Sequence, residues 1–128
     1  MQLEFSEEQL EQVHQQLALF QDRMADIREI ALITSSGQVV ATTTTSALQQ
    51  EALVESGTII ASAEKLLLAL DGGQLYQVFA YGFTGWVIVT PITPTIALVV
   101  STVERIKVAL MLMDVKKIAV DIGTSLSL

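Results

Sequence analysis

The chain of 128 residues is long enough for one domain with its own core, and 51% of its residues are hydrophobic while only 16% are charged. Its formal net charge of −7 disfavours a nucleic-acid partner, because a phosphate backbone requires basic residues. The absence of cysteine excludes disulfides and thiolate metal sites and is compatible with a cytoplasmic protein.

The apolar segments are too short to cross a membrane. The longest, Trp86–Val100, is interrupted by Pro91 and Pro94. The acidic start MQLEFSEEQLEQ also lacks the basic region of a signal peptide. We therefore expect a cytoplasmic protein with no direct membrane insertion. A chain this apolar favours either a sheet covered on both faces or an oligomer.

Three segments begin with a capping-box pattern, in which a serine is followed three residues later by Gln or Glu. These serines are Ser6, Ser46 and Ser101. They predict helices over about Glu7 to Met24, about Ala47 to Leu70, and about Thr102 to Ile118. The first predicted helix has one apolar stripe, at three- and four-residue spacing, and an acidic outer face.

The second predicted helix is more apolar than the first. Its clear polar stripe is made only of Glu51, Glu55, Thr58, Ser62 and Lys65. A helix that covers one face of a sheet needs an apolar arc of roughly 100°, and this helix has about twice that arc. The pattern therefore predicts that it buries two sides, one on its own sheet and one on something else.

The third predicted helix has a single apolar stripe made of Val103, Ile106, Leu110 and Met113. Lys116 and Lys117 fall near its expected end, where positive charge suits the helix dipole. A short polar tail is expected from about Asp121, so the chain divides into a domain of residues 1–120 and a tail of residues 121–128.

Five strands are predicted between the helices: Ile27–Thr34, Gln38–Thr42, Gln74–Tyr81, Trp86–Ile92 and Ile96–Val100. Short turns such as Ser35–Gly37 and Gly82–Gly85 make the paired strands antiparallel. The last two strands are apolar at successive positions, which is typical of strands covered on both faces. The predicted fold is an α/β (α+β) three-layer sandwich, with a five-stranded antiparallel sheet between helices in the order α-β-β-α-β-β-β-α.

The sequence contains no recognisable chemical motif. His14 is the only histidine, which together with the lack of cysteine excludes the usual zinc and Ser/His/Asp constellations. Asp71 precedes two glycines at a helix end, where a turn is the expected role. Neither phosphate-binding glycine motif is present. We therefore predict a protein that is not an enzyme, with no catalytic residue, cofactor site or metal site.

Three stretches together resemble a roadblock/dynein light chain domain: IREIALITSSGQVVATT, AEKLLLALDGGQLYQVFAYGFTGWVIVTPI and IALVVSTVERIKVALMLM. The likeness covers about Ile27 to Val115 and rests on hydrophobicity and glycine placement. It implies a profilin-like sandwich that forms a homodimer, or a heterodimer with a related domain, and that binds or regulates a small Ras-like GTPase. Members include the bacterial mutual-gliding-motility protein B, the dynein light chain and lysosomal scaffold proteins.

In this family the third strands pair edge to edge and the second helices pack side by side. The chain fits that geometry, because small residues in the second helix permit close approach and the third strand has no proline or lysine to block pairing. The implied dimer interface comprises Leu53, Ser56, Gly57, Ile60, Ala63 and Leu67 from the helix and Tyr76, Val78 and Ala80 from the strand.

Two other functions remain open. One is a small-molecule sensor module of related shape, which requires a pocket between sheet and helix with a few convergent polar groups. The other is an adaptor subunit of a cytoskeletal, motor or trafficking complex. If the partner is a GTPase, the second helix offers it no arginine, only Lys65, so an arginine finger from that helix is not expected.

Overall fold

The computed structural model describes residues 4–44 and 47–128, which form a five-stranded antiparallel sheet between two helical layers. The elements are α1 (Glu7–Arg23), β1 (Ile27–Thr34), β2 (Val39–Thr42), α2 (Ala47–Val54), α3 (Ser56–Ala69), β3 (Val78–Tyr81), β4 (Gly85–Thr93), β5 (Ile96–Val103) and α4 (Val108–Ser125). The predicted fold class and element order are confirmed, except that the second helix is divided in two.

The strands lie in the order β2-β1-β5-β4-β3, and every neighbouring pair is antiparallel. β5 is central, and its run Ile96–Val100 is almost fully buried because helices cover both faces of the sheet. β2 and β3 are the two edge strands. No helix in the described part of the chain is long and apolar enough to span a bilayer.

Alternating side chains of the sheet feed two separate cores, one on each face. The larger core joins Ile30, Leu32, Leu98 and Val100 of the sheet to buried residues of α1 and α4. The smaller core joins Ala31, Ile33, Val89, Ala97 and Val99 to Leu53 of α2 and Ile60 of α3. The register of the central strands is therefore fixed, because a shift by one residue would turn the side chains of each core to the opposite face of the sheet.

α1 begins with the predicted capping box. The Ser6 hydroxyl accepts a hydrogen bond from the Gln9 N–H at 3.0 Å, and the Gln9 side-chain oxygen accepts one from the Ser6 N–H at 2.9 Å. Buried Val13, Leu17 and Phe20 form the inner face of this helix, as its spacing predicts.

The second predicted helix is interrupted at Glu55, between α2 and α3. The junction rests on the β1–β2 turn: a Cβ on Gly57 would lie 2.6 Å from the Ser35 carbonyl oxygen, and one on Gly37 would lie 2.8 Å from a methyl of Val54. Gly37 also has a φ of 90°, which favours glycine. Close contact with this turn explains the two glycines. The predicted cap at Ser46 lies outside the described residues.

The predicted third helix begins too early. β5 continues to Val103, so Ser101 lies within a strand, where its hydroxyl donates to a carboxylate oxygen of Glu29 at 3.4 Å. α4 begins only at Val108, after an N-cap at Lys107 that makes no side-chain cap bond. The Ser101–Glu104 pattern is therefore not a capping box.

The buried face of α4 also differs from the predicted stripe. It consists of Met111, Val115, Ile118, Ala119 and Ile122, whereas Leu110 and Met113 are 53% and 67% exposed. Lys116 and Lys117 lie in the middle of the helix rather than at its end. α4 continues to Ser125, and Leu126 is buried in the core, where a polar tail was expected.

Candidate protein interaction surface

Exposed apolar surface, rather than a chemical site, distinguishes this molecule. No group of three acidic or histidine side chains is placed to hold a metal ion within residues 4–44 and 47–128. His14 is exposed on α1. Large hydrophobic side chains, by contrast, are exposed on α3, β3 and α4. Monomeric proteins rarely expose contiguous apolar surface of this kind without a partner.

The outer edge of β3 has unpaired backbone groups. The Gly82 N–H donates to the Gly85 carbonyl at 2.8 Å, and β3 then pairs with β4 from Tyr81↔Trp86 to Val78↔Val89. Because antiparallel pairing alternates, the backbone groups of Val78 and Ala80 point toward β4, and those of Phe79 and Tyr81 point away from the sheet. Two N–H and two C=O groups are therefore directed outward for a further strand.

The side chains of Phe79, Tyr81 and Trp86, here called the aromatic cluster, lie on the sheet face of α1 and α4. Tyr81 stacks on Trp86 with ring centroids 4.2 Å apart, and Phe79 lies 5.7 Å from the same ring. The Trp86 ring N–H donates to the Glu104 carbonyl at 3.0 Å. Phe79 and Tyr81 nevertheless remain 51% and 62% exposed. The cluster is held in place but uncovered.

One flank of α3 forms an exposed apolar ridge, defined by Ile59, Leu66 and Leu70. These side chains are 41%, 61% and 72% exposed. Their spacing of seven and four residues places them on one side of the helix. On the same sheet face as α3, β3 and β4 contribute Ala80, which is exposed, and Val87, which is 38% exposed. The ridge and these two sheet residues are therefore exposed apolar surface on one face of the molecule.

The nine residues predicted for a dimer interface fall into two groups. Leu53, Ser56 and Ile60 are only 8%, 4% and 8% exposed and face their own sheet, and Gly57 contacts the β1–β2 turn. The others are half-buried or exposed: Ala63, Leu67, Tyr76, Val78 and Ala80. The first group serves the fold of the protomer. The role of the second group in an interface stays a prediction.

The predicted interface did not include five exposed residues of this surface, namely Ile59, Leu66, Leu70, Phe79 and Tyr81. Phe79 and Tyr81 alternate with the predicted Val78 and Ala80, so the strand pattern contained them as its second face. The ridge on α3 could not be assigned in the same way. The helix sequence is apolar on two sides, and the sequence pattern does not show which side packs on the sheet.

The space between the sheet and α3 is filled by side chains. Ile33, Ile60, Val89 and Val99 pack there with less than 9% exposure. An open cleft of about 800 Å³ lies instead at the outer side, between α3, residues 73–76 and residues 91–94. The pocket that a sensor of this shape requires is therefore occupied by the core.

Comparison with known proteins identifies the fold family. The Roadblock/LC7 domain family model matches residues 14–102 of the chain. The chain belongs to this family. No curated protein matches the sequence. Roadblock/LC7 domains are generally regulatory or adaptor domains rather than enzymes.

Solved Roadblock/LC7 structures share the architecture at low sequence identity. The gliding protein MglB from Thermus thermophilus is 14% identical with a TM-score of 0.84, and the alignment covers 98% of this chain and 96% of that one. A Roadblock/LC7 domain from Streptomyces avermitilis is 12% identical with a TM-score of 0.81, over 90% and 98% of the two chains. Acanthamoeba castellanii profilin II is 20% identical with a TM-score of 0.54, over 84% and 94%. The Roadblock/LC7 domain described here is therefore profilin-like in fold.

Proposed function

We propose that this Roadblock/LC7 domain protein is a non-catalytic dimeric regulator that binds a small Ras-like GTPase. The proposal is supported by the open edge of β3, with its outward backbone groups, and by the exposed apolar ridge of α3. A homodimer is the simplest assembly that covers both features at once, because a two-fold axis presents the same edge and ridge twice.

The free backbone groups specify how the two edges pair. With Phe79 opposite the partner's Tyr81, every outward N–H and C=O of both β3 strands finds a hydrogen-bond partner. Ala80 then faces the partner's Ala80 at the two-fold axis, on the same sheet face as α3. Its small side chain leaves room above the axis for both helices to approach.

The same axis brings the two α3 ridges together. The flank of α3 opposite to the ridge lines the cleft with Ala61 and Leu68, near residues 91–94. The ridge itself therefore overlooks the rest of the sheet face, toward Ala80 and Val87. In the dimer the two helices lie antiparallel across that face, with Leu66 and Ile59 of one copy packed on the ridge of the other.

The helical layer of this dimer is the proposed platform for the GTPase. The role follows from the family resemblance, since the apolar ridge of α3 is itself covered by the partner's ridge in this dimer. α3 carries no arginine, and Lys65 is its only basic residue. An effect on GTP hydrolysis therefore comes from positioning the GTPase's own residues rather than from an inserted arginine.

The mass in solution tests the dimer. Light scattering is expected to give twice the 13.9 kDa monomer mass. Leu66→Glu buries two charges at the interface and is expected to raise the dissociation constant by a factor on the order of 100. Leu19→Glu is the matched control, because Leu19 is 58% exposed on α1, away from the edge. A monomeric wild-type protein would refute the dimer.

A second pair of variants tests the edge itself. Phe79→Pro removes an N–H that points outward and leaves the β3–β4 hydrogen bonds intact. It should weaken the dimer more than Phe79→Ala, which removes only the side chain. Equal effects of the two variants would show that backbone pairing of β3 is not part of the interface.

The regulatory role is tested with a Ras-like GTPase encoded in the same genome. Adding the wild-type dimer should change the rate of GTP hydrolysis or nucleotide exchange by about fivefold or more. The Leu66→Glu variant should have no such effect, and Leu19→Glu should act like the wild type. A dimer that binds the GTPase without changing either rate would be a scaffold instead.

A further inference from the structure

The open cleft beside α3 exists because β4 is longer than its neighbour β3. β3 begins at Val78, which pairs with Val89, whereas β4 continues to Thr93. Residues 90–93 therefore extend about 13 Å beyond the start of β3. The connection from α3 to β3, residues 73–76, passes there without pairing with β4. The cleft of about 800 Å³ lies in this place, and its volume is typical of small-molecule sites.

Two lysines from opposite faces of the sheet line this cleft. α3 contributes Lys65, on the same flank as Ala61 and Leu68, and α4 contributes Lys116. Among residues 4–44 and 47–128, no carboxylate forms an ion pair with either ammonium group. An anion in the cleft therefore meets two positive charges that no other group of these residues neutralises.

Lys116 is already held in position at the wall of the cleft. Its side chain is half-buried, and its ammonium lies 4.4 Å from the centre of the Tyr76 ring, a cation–π contact. The ring covers one side of the ammonium, so its other N–H groups can donate to an anion. The next residue fixes the wall, because the Gln77 amide donates to the Leu112 carbonyl of α4 at 3.2 Å. A ligand that binds here therefore has little protein structure to order.

The charge of the lining side chains fits a ligand with one negative charge. Lys65 and Lys116 contribute two positive charges and Glu64 contributes one negative charge, which leaves a net charge of +1 in a chain of −7. A carboxylate balances that charge. A phosphate monoester carries about −1.5 to −2 at pH 7 and would exceed it.

The remaining lining provides apolar surface for the body of such a ligand. Leu68 is 80% exposed and lies on the flank of α3 opposite to the ridge, so the proposed dimer does not cover it. Pro91 and Ile92 are half-buried on the other side of the cleft. An apolar group between these side chains would remove them from water, which favours binding in proportion to the area buried.

We propose that this cleft binds a small organic monocarboxylate, with its carboxylate beside Lys65 and Lys116 and its apolar body on Leu68. This site goes beyond the proposed binding of a GTPase. It does not depend on the proposed dimer, because all of the lining residues belong to one copy. Occupancy is therefore one ligand per chain.

Octanoate is the probe, and nitrogen-15 NMR spectra of the whole chain report where it binds. The amide signals of Gly73, Gln74, Tyr76 and Thr93 are expected to shift and to saturate at one octanoate per chain. Octanol, which has the same apolar chain without the charge, should bind about tenfold more weakly. Shifts confined to the aromatic cluster or the ridge, or equal binding of octanol, would overturn the proposal.

Octyl phosphate tests the charge of the ligand. It should bind no more tightly than octanoate, because its second charge has no matching cation in the cleft lining. Tighter binding of octyl phosphate would overturn the assignment of a carboxylate.

Two adjacent lysines of α4 supply a matched pair of variants. Lys116→Gln is expected to weaken octanoate binding about tenfold, because it removes a charge beside the carboxylate. Lys117→Gln removes the same charge from an exposed position outside the cleft lining and should leave binding within twofold. Lys65→Gln should weaken binding as Lys116→Gln does. Equal effects of the variants at Lys116 and Lys117 would overturn the proposal.

The Leu66→Glu variant separates this site from the proposed dimer. It should bind octanoate within twofold of the wild type, since the ridge lies on the other flank of α3. Loss of octanoate binding in this variant would overturn the assignment of the site to a single copy. A monomeric wild-type protein that binds octanoate in the cleft would refute the dimer alone. A dimer that regulates a GTPase without binding octanoate would refute the cleft site alone.

Discussion

The two edge strands of the sheet are equally long and differently protected. β2 is half-buried at each of its positions, and its Val40 and Ala41 pack against the larger core beneath α1. Thr42 at its end donates from its hydroxyl to the Ile30 carbonyl at 3.0 Å. β3 is exposed at three of its four positions, including Phe79 and Tyr81.

The difference in burial between β2 and β3 distinguishes residues that the fold needs from residues that are free to contact a partner. Open edges promote association, and proteins usually protect them with charge, proline or a covering element. α1 packs against β2, whereas β3 is mostly exposed, and neither strand has a proline or a charge in its four residues. The core is complete without a cover on β3, so folding alone does not account for the exposed aromatic and aliphatic residues there.

The largest expected loss of stability comes from substituting a residue in the central strand, which lies between the two halves of the sheet. Leu98 is fully buried in central β5, between β1 and β4. Leu98→Ala should lower the free energy of unfolding by roughly 2–5 kcal/mol in urea titrations, because it leaves a cavity. Leu110→Ala, at a 53% exposed position, should cost less than about 0.5 kcal/mol.

The same urea titration can test whether the β3 edge unfolds together with the rest of the sheet. Trp86 fluorescence reports on the end of the sheet beside β3, and far-UV circular dichroism reports on the whole chain. Both should give the same midpoint if β3 belongs to the cooperative unit. Separate midpoints would mean that the open edge unfolds independently of the covered one.

A smaller effect distinguishes the two hairpin turns. Gly37→Ala combines a φ of 90° with a Cβ only 2.8 Å from Val54, so we expect a loss of about 1–3 kcal/mol. At Gly82 the nearest atom to a new Cβ is 3.4 Å away, and Gly82→Ala should cost less than about 0.5 kcal/mol. Similar losses in thermal or urea unfolding would show that the turn beside β3 is as tightly held as the turn beside β2.

The smallest expected effect concerns the helix that covers β2. Ser6→Ala removes the cap of α1 and should cost about 1 kcal/mol. Hydrogen exchange followed by mass spectrometry should then become faster in the first turn of α1 and in β2, with β3 unchanged. Ser62→Ala, at an exposed position in α3, serves as the control. Faster exchange in β3 would contradict the separate protection of the two edges.

Much of the fold could be predicted from the sequence because its signals are local. The turn at Ser35–Gly37 and the apolar runs of β4 and β5 led to the hairpins, and the Ser6 capping box placed the start of α1. The start of α4 was wrong because Ser101 and Glu104 repeat the capping pattern at the end of a strand. The pairing of Thr102 with Trp86 and Ile27, and of Val103 with Gly85, shows that the strand continues there.

The candidate surface was harder to predict because it depends on which side of a helix meets the sheet. The open edge of β3 could be anticipated from its alternation and lack of blocking residues. The ridge on α3 could not, because its orientation is set by the contact of Gly57 with the Ser35 carbonyl, between residues far apart in the sequence. Ile60 was assigned to an interface for the same reason, although it is 8% exposed in the smaller core.

The Gln77 side chain has a consequence for the speed of assembly. Its amide donates both to the Thr90 hydroxyl at 2.9 Å and to the Leu112 carbonyl at 3.2 Å, which ties the start of β3 to β4 and to α4. The free edge is therefore already extended and ordered before a second chain arrives. A preorganised strand loses little conformational entropy on pairing, so formation of the proposed dimer requires no prior folding step at β3.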